Sequence, residues 1–382
     1  MRVTMFTSWQ VRCGIADYAE HLVRALRALQ GVEIIIVPFD RKHHPRADYA
    51  RWGYMMNQGD VAHIQHEYTF FGYLLPWRNH FNTFIQAIQR PLVITRHVSF
   101  DGPYVPAEPE PMRSVRRLKW ALYQRWLGPY ATYLNRDVFD AADQIIVLNA
   151  HMKDQLVRRG IRPEKIHVIP PGVPEIPPPS GGEHLRALWG WQDKYVIGQF
   201  GFIAAAKGHT LLLEALAALP EEYVLLIAGG VRRPGDRGVL RAIERKIDRL
   251  GLRHRVRITG YLDSQDLPSH LDACDVLVYP NTRADFSYSV LMGLAARKAP
   301  LVLSDIPPHR ELAEAGAGVV LFRSGDAGSL AMRIQEVSQD VLLRKRALEQ
   351  VTAFVREHSW SIVAHRALEV YFQALRSSCR KK

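Results

Sequence analysis

Residues 195–219, YVIGQFGFIAAAKGHTLLLEALAAL, contain one complete strand–loop–helix unit. The first six residues predict an apolar strand, residues 201–208 predict a loop with a glycine at each end, and residues 210–219 predict a helix rich in leucine and alanine. Strand-like and helix-like stretches alternate in this way along almost the whole chain. This alternation is typical of an α/β fold in which helices cover both faces of a parallel sheet.

Proline and glycine interrupt the alternation once, between residues 170 and 182. Such a stretch supports neither a helix nor a central strand, so it predicts a hinge. A chain of 382 residues is long enough for two hydrophobic cores, one on each side of this hinge. We therefore predict an N-terminal Rossmann-like domain, a hinge, a C-terminal Rossmann-like domain and a terminal helix with a basic tail, at residues 1–170, 171–192, 193–358 and 359–382.

The composition favours a cytoplasmic protein that binds anions. The three cysteines, Cys13, Cys274 and Cys379, are scattered and form no pair typical of a disulfide framework or a zinc site. The N-terminus lacks the charged start and cleavage site of a signal peptide, and no apolar run is long enough to span a bilayer. The net charge of +12 favours polyanionic partners, such as nucleotides or anionic lipid surfaces.

A second strand–loop–helix unit, at residues 279–300, predicts an anion site. Its strand ends at a proline, a polar loop follows, and a helix is predicted to begin near Ser289, whose hydroxyl is a candidate cap. In a parallel sheet, the loop from the carboxyl end of a strand into a helix is the usual ligand site, because the first N–H groups of the helix attract anions. The backbone N–H groups of Phe286, Ser287 and Tyr288 are therefore candidate phosphate ligands.

Short motifs along the chain occur in the order and spacing of one enzyme family. They are Gly14-Ile15-Ala16 before the first helix, VIPPGV at residues 168–173, Phe200-Gly201 followed by Lys207-Gly208, ITGY at residues 258–261, Ser304-Asp305 followed by Glu311, and the helix that begins at Trp360. Over almost its whole length the chain thus resembles the GT-B glycosyltransferases, and within them the retaining enzymes of glycosyltransferase family 4. The resemblance implies two Rossmann-like doubly wound domains that face a central cleft.

The same resemblance implies transfer of a sugar from a nucleotide-diphosphate donor to a saccharide, lipid-linked or other glycoconjugate acceptor, with retention and without a metal or other cofactor. It implies donor contacts by Gly14, Gly201, Lys207 and Tyr261, with the lysine on the phosphates. His97, at the end of a predicted strand, matches a family histidine that faces the donor sugar. The alternatives for these residues are a turn glycine, a solvated lysine and a structural histidine.

The chain departs from the family at the donor site. Phe202 stands where the family usually has an arginine, and Ala284 and Met292 stand where the family has two glutamates, one near the donor sugar and one on the ribose. Asp285 lies one residue beyond the first of these positions, so it either reaches the sugar hydroxyls or is an ordinary loop acid. The sequence therefore leaves two hypotheses, a transferase and a non-catalytic sugar- or partner-binding subunit of the same fold.

A basic segment at residues 113–136 contains six basic residues and no acidic one, in an amphipathic pattern. One interpretation is peripheral contact with an anionic membrane, at its inner face, or with an anionic acceptor. The alternative is a helix that packs on the sheet and exposes a solvated basic face. The sequence pattern alone fits both.

The sequence disfavours three further interpretations, namely a metal site, a nicotinamide-dependent oxidoreductase and a nucleic-acid-binding protein. His63 and His66 face opposite sides of a predicted strand, so they do not predict a shared metal ion. The glycines at residues 198–201 do not complete the GxGxxG fingerprint of a nicotinamide-dependent oxidoreductase. Nucleic-acid binding has only the net charge in its favour, because the chain contains no recognition motif for it.

Overall fold

The structure is a computed structural model that describes most of the chain. The described residues are 1–11, 13–42, 44–72, 79–98, 138–231, 236–284 and 286–379. The chain divides into two compact units, a first unit of Met1–Gly172 with Trp360–Lys382 and a second unit of Val173–Ser359. Each unit is built on one parallel sheet.

The sheet of the first unit has the strand order β2-β1-β3-β4-β5-β6. Its strands are β1 (Arg2–Ser8), β2 (Glu33–Phe39), β3 (Val61–His66), β4 (Leu92–Arg96), β5 (Gln144–Val147) and β6 (Ile166–Val168). The central strands β3, β4 and β5 are buried at every residue. Strands that are covered on both faces form largely apolar runs in the sequence, which is why they were recognisable there.

Helices follow the strands of this unit on both faces of the sheet. They are α1 (Gly14–Arg27), α2 (Arg46–Met55), α3 (Phe81–Gln86), α4 (Val138–Asp140) and α5 (Ala150–Arg158). In α1 the buried residues recur at helical spacing, for example at Ile15, Leu22 and Leu26, so one face of the helix packs on the sheet. The side chain of Asn149 caps α5 by accepting a hydrogen bond from the Met152 N–H at 2.8 Å.

The sheet of the second unit has the strand order β12-β11-β10-β7-β8-β9. Its strands are β7 (Tyr195–Phe200), β8 (Tyr223–Ala228), β9 (Val256–Ile258), β10 (Val276–Tyr279), β11 (Leu301–Ser304) and β12 (Val319–Phe322). The chain runs outward from β7 to β9, returns to pair β10 with β7, and then runs outward to β12 on the other side. This reversal is the topological switch point of a doubly wound sheet.

Two apolar clusters cover the two faces of this second sheet. Val196 belongs to one cluster and the next residue, Ile197, belongs to the other, because successive side chains of a strand point to opposite faces. The helices that complete the clusters are α6 (Gly182–Trp189), α7 (His209–Ala218), α8 (Arg237–Arg249), α9 (Leu267–Asp272), α10 (Tyr288–Ala296), α11 (Pro307–Glu314), α12 (Ala327–Gln339) and α13 (Val341–Glu357).

The terminal helix α14 (Trp360–Cys379) belongs to the first unit, where it packs on α1 and across β3, β4 and β5. Gly172 lies directly against its start, since a Cβ atom at this glycine would be 2.8 Å from the Trp360 backbone nitrogen. Further along, Arg366 donates to the Val168 carbonyl at 2.8 Å, and Tyr371 is completely buried. The helix is therefore an integral part of the core of the first unit.

The predicted fold class, α/β with two Rossmann-like doubly wound domains, is confirmed. Helix α6 (Gly182–Trp189) lies in the second half of the predicted hinge, residues 171–192. The helix is held there by tertiary contacts that no local pattern reveals. Arg186 pairs with Asp275 at 2.7 Å, and the Gly182 N–H donates to Asp272 Oδ2 at 2.9 Å.

Candidate functional site

The strand order of the second unit places two loops side by side at the switch point. Strands β7 and β10 are neighbours in the sheet, but the chain continues from them in opposite directions. In doubly wound sheets, ligands bind in the crevice that opens there, outside the carboxyl ends of the strands. The two loops are residues 201–208 and residues 280–287, and both contain predicted phosphate ligands.

Lys207 connects the two loops through its side chain. Its Nζ donates to Ser287 Oγ at 3.1 Å and lies 3.5 Å from Ser289 Oγ. Its carbonyl accepts a hydrogen bond from Gln199 Nε2 at 2.7 Å, which holds the backbone of the loop. The ammonium group is thus held at the first turn of α10, where a helix presents N–H groups that its own carbonyls do not reach.

The start of α10 differs from the prediction. The helix begins at Tyr288, Ser287 is its N-cap residue, and Ser289 lies in the first turn, so the predicted cap at Ser289 is wrong. Ser287 makes no side-chain cap bond either, since its hydroxyl accepts from Lys207. One cation, two hydroxyl groups and the positive end of a helix therefore meet at one place, which is an arrangement that can hold phosphate oxygens.

Gly208 allows the Lys207 loop to lie directly against the end of β10. Its φ is +69°, and a Cβ atom at this position would be 1.9 Å from the Pro280 carbonyl oxygen. Nearby, the Thr282 N–H donates to the Ala206 carbonyl at 3.0 Å. These main-chain contacts fix one loop against the other, so the position of Lys207 depends on having a glycine next to it.

Replacement of Gly208 by alanine should destabilise the second unit by about 3–5 kcal/mol, because left-handed backbone strain adds to overlap with a main-chain oxygen. Gly251 is the matched control, since its φ is +67° and, among the described residues, none except its own chain neighbours comes within 4 Å of its Cβ position. Gly251→Ala should cost only about 1–2 kcal/mol. Urea unfolding of both variants measures the difference, and equal losses would show that the overlap at Gly208 carries no cost.

Gly201 and Gly229 allow close contacts of the loop after β7 with the end of β8 and with the first turn of α10. A Cβ atom at Gly229 would lie 1.8 Å from the Gly201 carbonyl oxygen, and a Cβ atom at Gly201 would lie 2.7 Å from Ser289 Oγ. The loop after β7 is therefore packed between the end of β8 and the first turn of α10. A backbone without side chains lets a ligand approach closely, and the donor contact of Gly201 stays a prediction.

An aromatic surface lies beside these loops. The Tyr261 side chain is 49% exposed, and its ring stacks on Phe202 with a centroid distance of 6.2 Å and an interplanar angle of 25°. Phe202 is the residue that stands where the family resemblance places an arginine. The position therefore supplies a flat apolar surface instead of a positive charge, and such surfaces stack well on nucleobases.

Two buried histidines near Lys207 are neutral. Burial lowers the pKa of His209 to about 4, with a smaller contribution from the positive charge of Lys207. Burial also lowers the pKa of His309 to about 4, although a hydrogen bond with the Ser304 carbonyl partly opposes this shift. Both rings are thus uncharged near neutral pH.

In the first unit, His97 follows β4 at the carboxyl edge of the sheet. Its Nε2 lies 2.7 Å from Gln65 Oε1, and its ring packs edge-on against Tyr18 with a centroid distance of 4.8 Å. Burial lowers the pKa of His97 to about 3, so the ring is neutral near pH 7. A neutral imidazole in this position can exchange hydrogen bonds with sugar hydroxyls, but it does not supply a positive charge.

The other predicted site residues have the following places. Gly14 is the first residue of α1, Phe286 packs against the apolar core of the second unit, and Tyr288 is the first residue of α10. Asp285 and the basic segment 113–136 lie outside the described residues. Their roles, at the donor sugar and at a membrane or acceptor, therefore stay predictions.

The described part of the chain contains neither a candidate metal cluster nor a helix that could span a membrane. Within it, no group of three or more histidine, cysteine, aspartate or glutamate side chains is arranged to hold a metal ion. His63 and His66 have separate surroundings, since His63 hydrogen-bonds with Thr95 and Tyr371, whereas His66 stacks on Phe71. None of the described helices combines the length and the apolarity needed to cross a membrane.

The fold and the site define a class, that of two-domain α/β proteins with a crevice at the switch point of the second domain whose groups can hold an anion. Sequence comparison then identifies the family. The model of the glycosyl transferases group 1 matches residues 183–353, and the model of glycosyltransferase family 4 matches residues 54–175. The chain therefore belongs to the glycosyltransferases that these two family models describe.

Individual relatives are distant. An alpha-D-kanosaminyltransferase from Streptomyces kanamyceticus is 26% identical over 237 residues, which are 60% of this chain and 59% of the relative. A D-inositol 3-phosphate glycosyltransferase from Xylanimonas cellulosilytica is 28% identical over 251 residues, which are 62% of this chain and 58% of the relative. The chain thus matches less than two thirds of the length of either relative.

Solved structures share the fold over the whole chain. HepE from Anabaena, crystallised in complex with UDP and glucose, superposes with a TM-score of 0.74 at 17% identity and covers 97% of this chain and 98% of its own. A sucrose-phosphate synthase from Thermosynechococcus elongatus superposes with a TM-score of 0.73 at 16% identity and covers 99% of this chain and 100% of its own. At this level of identity, the likeness is one of fold.

Proposed function

We propose that this protein is a glycosyltransferase that moves a sugar from a nucleoside-diphosphate donor to a saccharide, lipid-linked or other glycoconjugate acceptor. The observation that carries the proposal is the Lys207 ammonium at the first turn of α10, hydrogen-bonded to Ser287 and close to Ser289. These groups suit a diphosphate, because ammonium, hydroxyl and N–H groups all donate hydrogen bonds to phosphate oxygens. The family models and the names of the relatives support the same reaction class.

The same groups suit the chemistry of the leaving group. When the bond between the anomeric carbon and the diphosphate oxygen breaks, negative charge develops on the diphosphate, and positive groups held in place beforehand stabilise it. Lys207 and the start of α10 provide this positive charge from the chain itself, so the proposal includes no metal ion. The stacked rings of Phe202 and Tyr261 are proposed to receive the base. The complexes of HepE with UDP and with UDP-glucose support a nucleotide-sugar donor.

Retention of the anomeric configuration is also part of the proposal. It rests on the resemblance to family 4, in which the acceptor attacks from the side that the diphosphate leaves, without a dedicated protein nucleophile. A neutral histidine such as His97 fits a positioning role in this scheme, since it can exchange hydrogen bonds with sugar hydroxyl groups. Because the ring is uncharged, it does not attract the diphosphate as a cation would.

The test is a panel of nucleotide sugars with different bases and hexoses, each mixed with purified protein and saccharide or glycolipid acceptors. We expect nucleoside diphosphate release from at least one donor, and NMR of the product to show the anomeric configuration of the donor.

His97→Ala should lower kcat about tenfold to a hundredfold through loss of positioning, while nucleotide affinity stays unchanged. The exposed His184→Ala is the control. An active His97→Ala enzyme with a normal rate would remove His97 from the site.

A second candidate function is that of a non-catalytic sugar- or partner-binding subunit. It is favoured by Ala284, in the loop after β10, and by Met292, in α10, since neither side chain can hold hydroxyl groups as a carboxylate does. The same panel separates the two functions. Nucleotide binding in a thermal-shift assay without consumption of any donor would favour the binding subunit.

We also propose a cytoplasmic location with peripheral membrane contact through residues 113–136. The location is supported by Cys13 and Cys274, which are both buried as free thiols and are typical of a reducing compartment. The membrane contact is supported by the basic amphipathic pattern of the segment. Co-sedimentation with anionic vesicles, with neutral vesicles as the control, tests the contact.

A further inference from the structure

A row of buried polar side chains in the first unit ends at His97. Strand β3 places His63 and Gln65 on one face of the sheet, and Thr95 lies beside Gln65 in the register of β3 with β4. Tyr371 reaches the same row from α14. All of these side chains are buried, and His97 is the most exposed of them, at 4%.

Hydrogen bonds connect the row from Tyr371 to His97. His63 Nδ1 lies 2.8 Å from Tyr371 Oη, and His63 Nε2 lies 2.7 Å from Thr95 Oγ1 and 3.3 Å from Gln65 Nε2. Gln65 Oε1 lies 2.7 Å from His97 Nε2. The terminal helix is thus linked to His97 through two side chains of β3.

The surroundings of Gln65 determine the direction of these bonds. Its Nε2 lies 3.6 Å from Met5 Sδ, and a thioether sulfur accepts hydrogen bonds but does not donate them. The amide nitrogen therefore faces Met5 and His63, and the amide oxygen faces His97. Because an amide oxygen only accepts, His97 Nε2 must carry the proton. In a neutral ring, this leaves a lone pair on His97 Nδ1.

The tautomer of His63 follows from the same bonds. The Gln65 amide nitrogen only donates, so His63 Nε2 accepts from it and from the Thr95 hydroxyl, and His63 Nδ1 donates to Tyr371 Oη. Burial lowers the pKa of His63 and of His97 to about 3, which keeps both rings neutral. Each ring therefore has one donor and one acceptor nitrogen, and the network determines that Nε2 is the donor in His97 and Nδ1 is the donor in His63.

We propose that Gln65 is a positioning residue that holds His97 in its Nε2–H tautomer, and that Tyr371 of α14 holds Gln65 in place through His63. His97 then presents Nδ1 as a hydrogen-bond acceptor, which suits a sugar hydroxyl. The use of this acceptor in sugar transfer rests on the proposed function, whereas the tautomer itself does not. A network that only anchored α14 would leave the tautomer of His97 without consequence for turnover.

Nitrogen-15 NMR of histidine-labelled protein tests the tautomers directly. We expect the proton on Nε2 in His97 and on Nδ1 in His63, and a proton on Nδ1 of His97 overturns the proposal without any variant. Gln65→Met removes the amide oxygen and should give a mixture of His97 tautomers, whereas Gln65→Glu keeps an oxygen acceptor and should preserve Nε2–H. If Gln65→Met does not fold, the tautomer of His97 in the wild-type protein still tests the proposal.

Kinetics test the positioning role. Gln65→Met should lower kcat about tenfold with less than about a twofold change in the donor KM, as expected for loss of one hydrogen bond that positions a reacting group. Gln65→Glu should restore much of kcat, and Tyr371→Phe should lower it about threefold. Tyr49→Phe is the control, since the Tyr49 hydroxyl is also buried but donates to the Phe70 carbonyl, outside the row.

The outcomes separate this proposal from the proposed function. A shifted tautomer in Gln65→Met with unchanged kcat overturns the positioning role and leaves the transferase intact. A wild-type protein that shows the expected tautomers but transfers no sugar from any donor contradicts the proposed function and still supports the assignment of Gln65 as the residue that sets the tautomer of His97.

Discussion

Lys207→Met should weaken the binding of nucleoside diphosphates about a hundredfold. The variant keeps the length of the side chain but loses the ammonium that is held beside Ser287 and Ser289. A charge-assisted hydrogen bond contributes about 1.5–3 kcal/mol, and about 3 kcal/mol corresponds to about a hundredfold in Kd. Isothermal titration calorimetry with UDP, GDP and ADP measures the change for whichever diphosphate the wild-type protein binds.

Two controls make this result specific for the phosphates. Lys345→Met removes an exposed lysine of α13 and should leave the Kd unchanged. The nucleoside without phosphates should bind wild-type protein and Lys207→Met equally, since its base and ribose do not need the ammonium. Unchanged diphosphate affinity in Lys207→Met would remove this lysine from the donor site and, with it, the main support for the proposed function.

The sequence predicted the sheets well because buried parallel strands are recognisable locally. β7 has the bounds predicted for it, Tyr195–Phe200, whereas β10 begins one residue after Asp275. Asp275 directly precedes β10, and its carboxylate contacts neighbouring elements. It accepts from the Val196 N–H at 2.7 Å and pairs with Arg186 at 2.7 Å. A strand is thus predictable from its own apolar residues, but its ends depend on contacts with other elements.

The candidate site was predicted only in part, because its contacts join residues far apart in the chain. Lys207 and Ser287 are 80 residues apart, and His63 and Tyr371 are 308 residues apart. No local pattern reveals such pairs. The predicted cap at Ser289 was wrong because α10 begins one residue earlier, and the hydroxyl of its N-cap residue, Ser287, accepts from the distant Lys207. Gln65 had one local signal, its position two residues from His63 in a buried strand.

The first unit should lose stability steeply as the pH falls below about 6.5. Burial lowers the pKa of His63, His66 and His97 to about 3 each. Between pH 6.5 and about 3, these three side chains therefore bind up to three more protons in the unfolded chain than in the folded unit. Each extra proton lowers the free energy of unfolding by about 1.4 kcal/mol per pH unit, which gives about 4 kcal/mol per unit for the three.

Among the described residues of the same unit, Asp17 opposes this loss. Burial, with a smaller effect of Glu20, raises the pKa of Asp17 to about 6, so the folded state gains this proton before the unfolded state does. Asp17 is only partly buried, and its effect ends near the usual carboxylate pKa of about 4. The net loss between pH 6 and pH 4 is still about 3 kcal/mol per pH unit. Against a domain stability of about 5–15 kcal/mol, this predicts acid unfolding between pH 5 and pH 3.

Urea unfolding at pH 7, 6 and 5, followed by circular dichroism, measures the slope, and His66→Phe tests its cause. His66 lies among aromatic rings, including Tyr68, Phe71 and Phe139, and its buried Nδ1 has no hydrogen-bond partner among the described residues. A phenylalanine there should leave stability at pH 7 equal or higher and reduce the slope by about 1.4 kcal/mol per pH unit. His184→Gln, at an exposed position, should leave the slope unchanged. A slope that His66→Phe does not change would mean that His66 is already protonated in the folded unit.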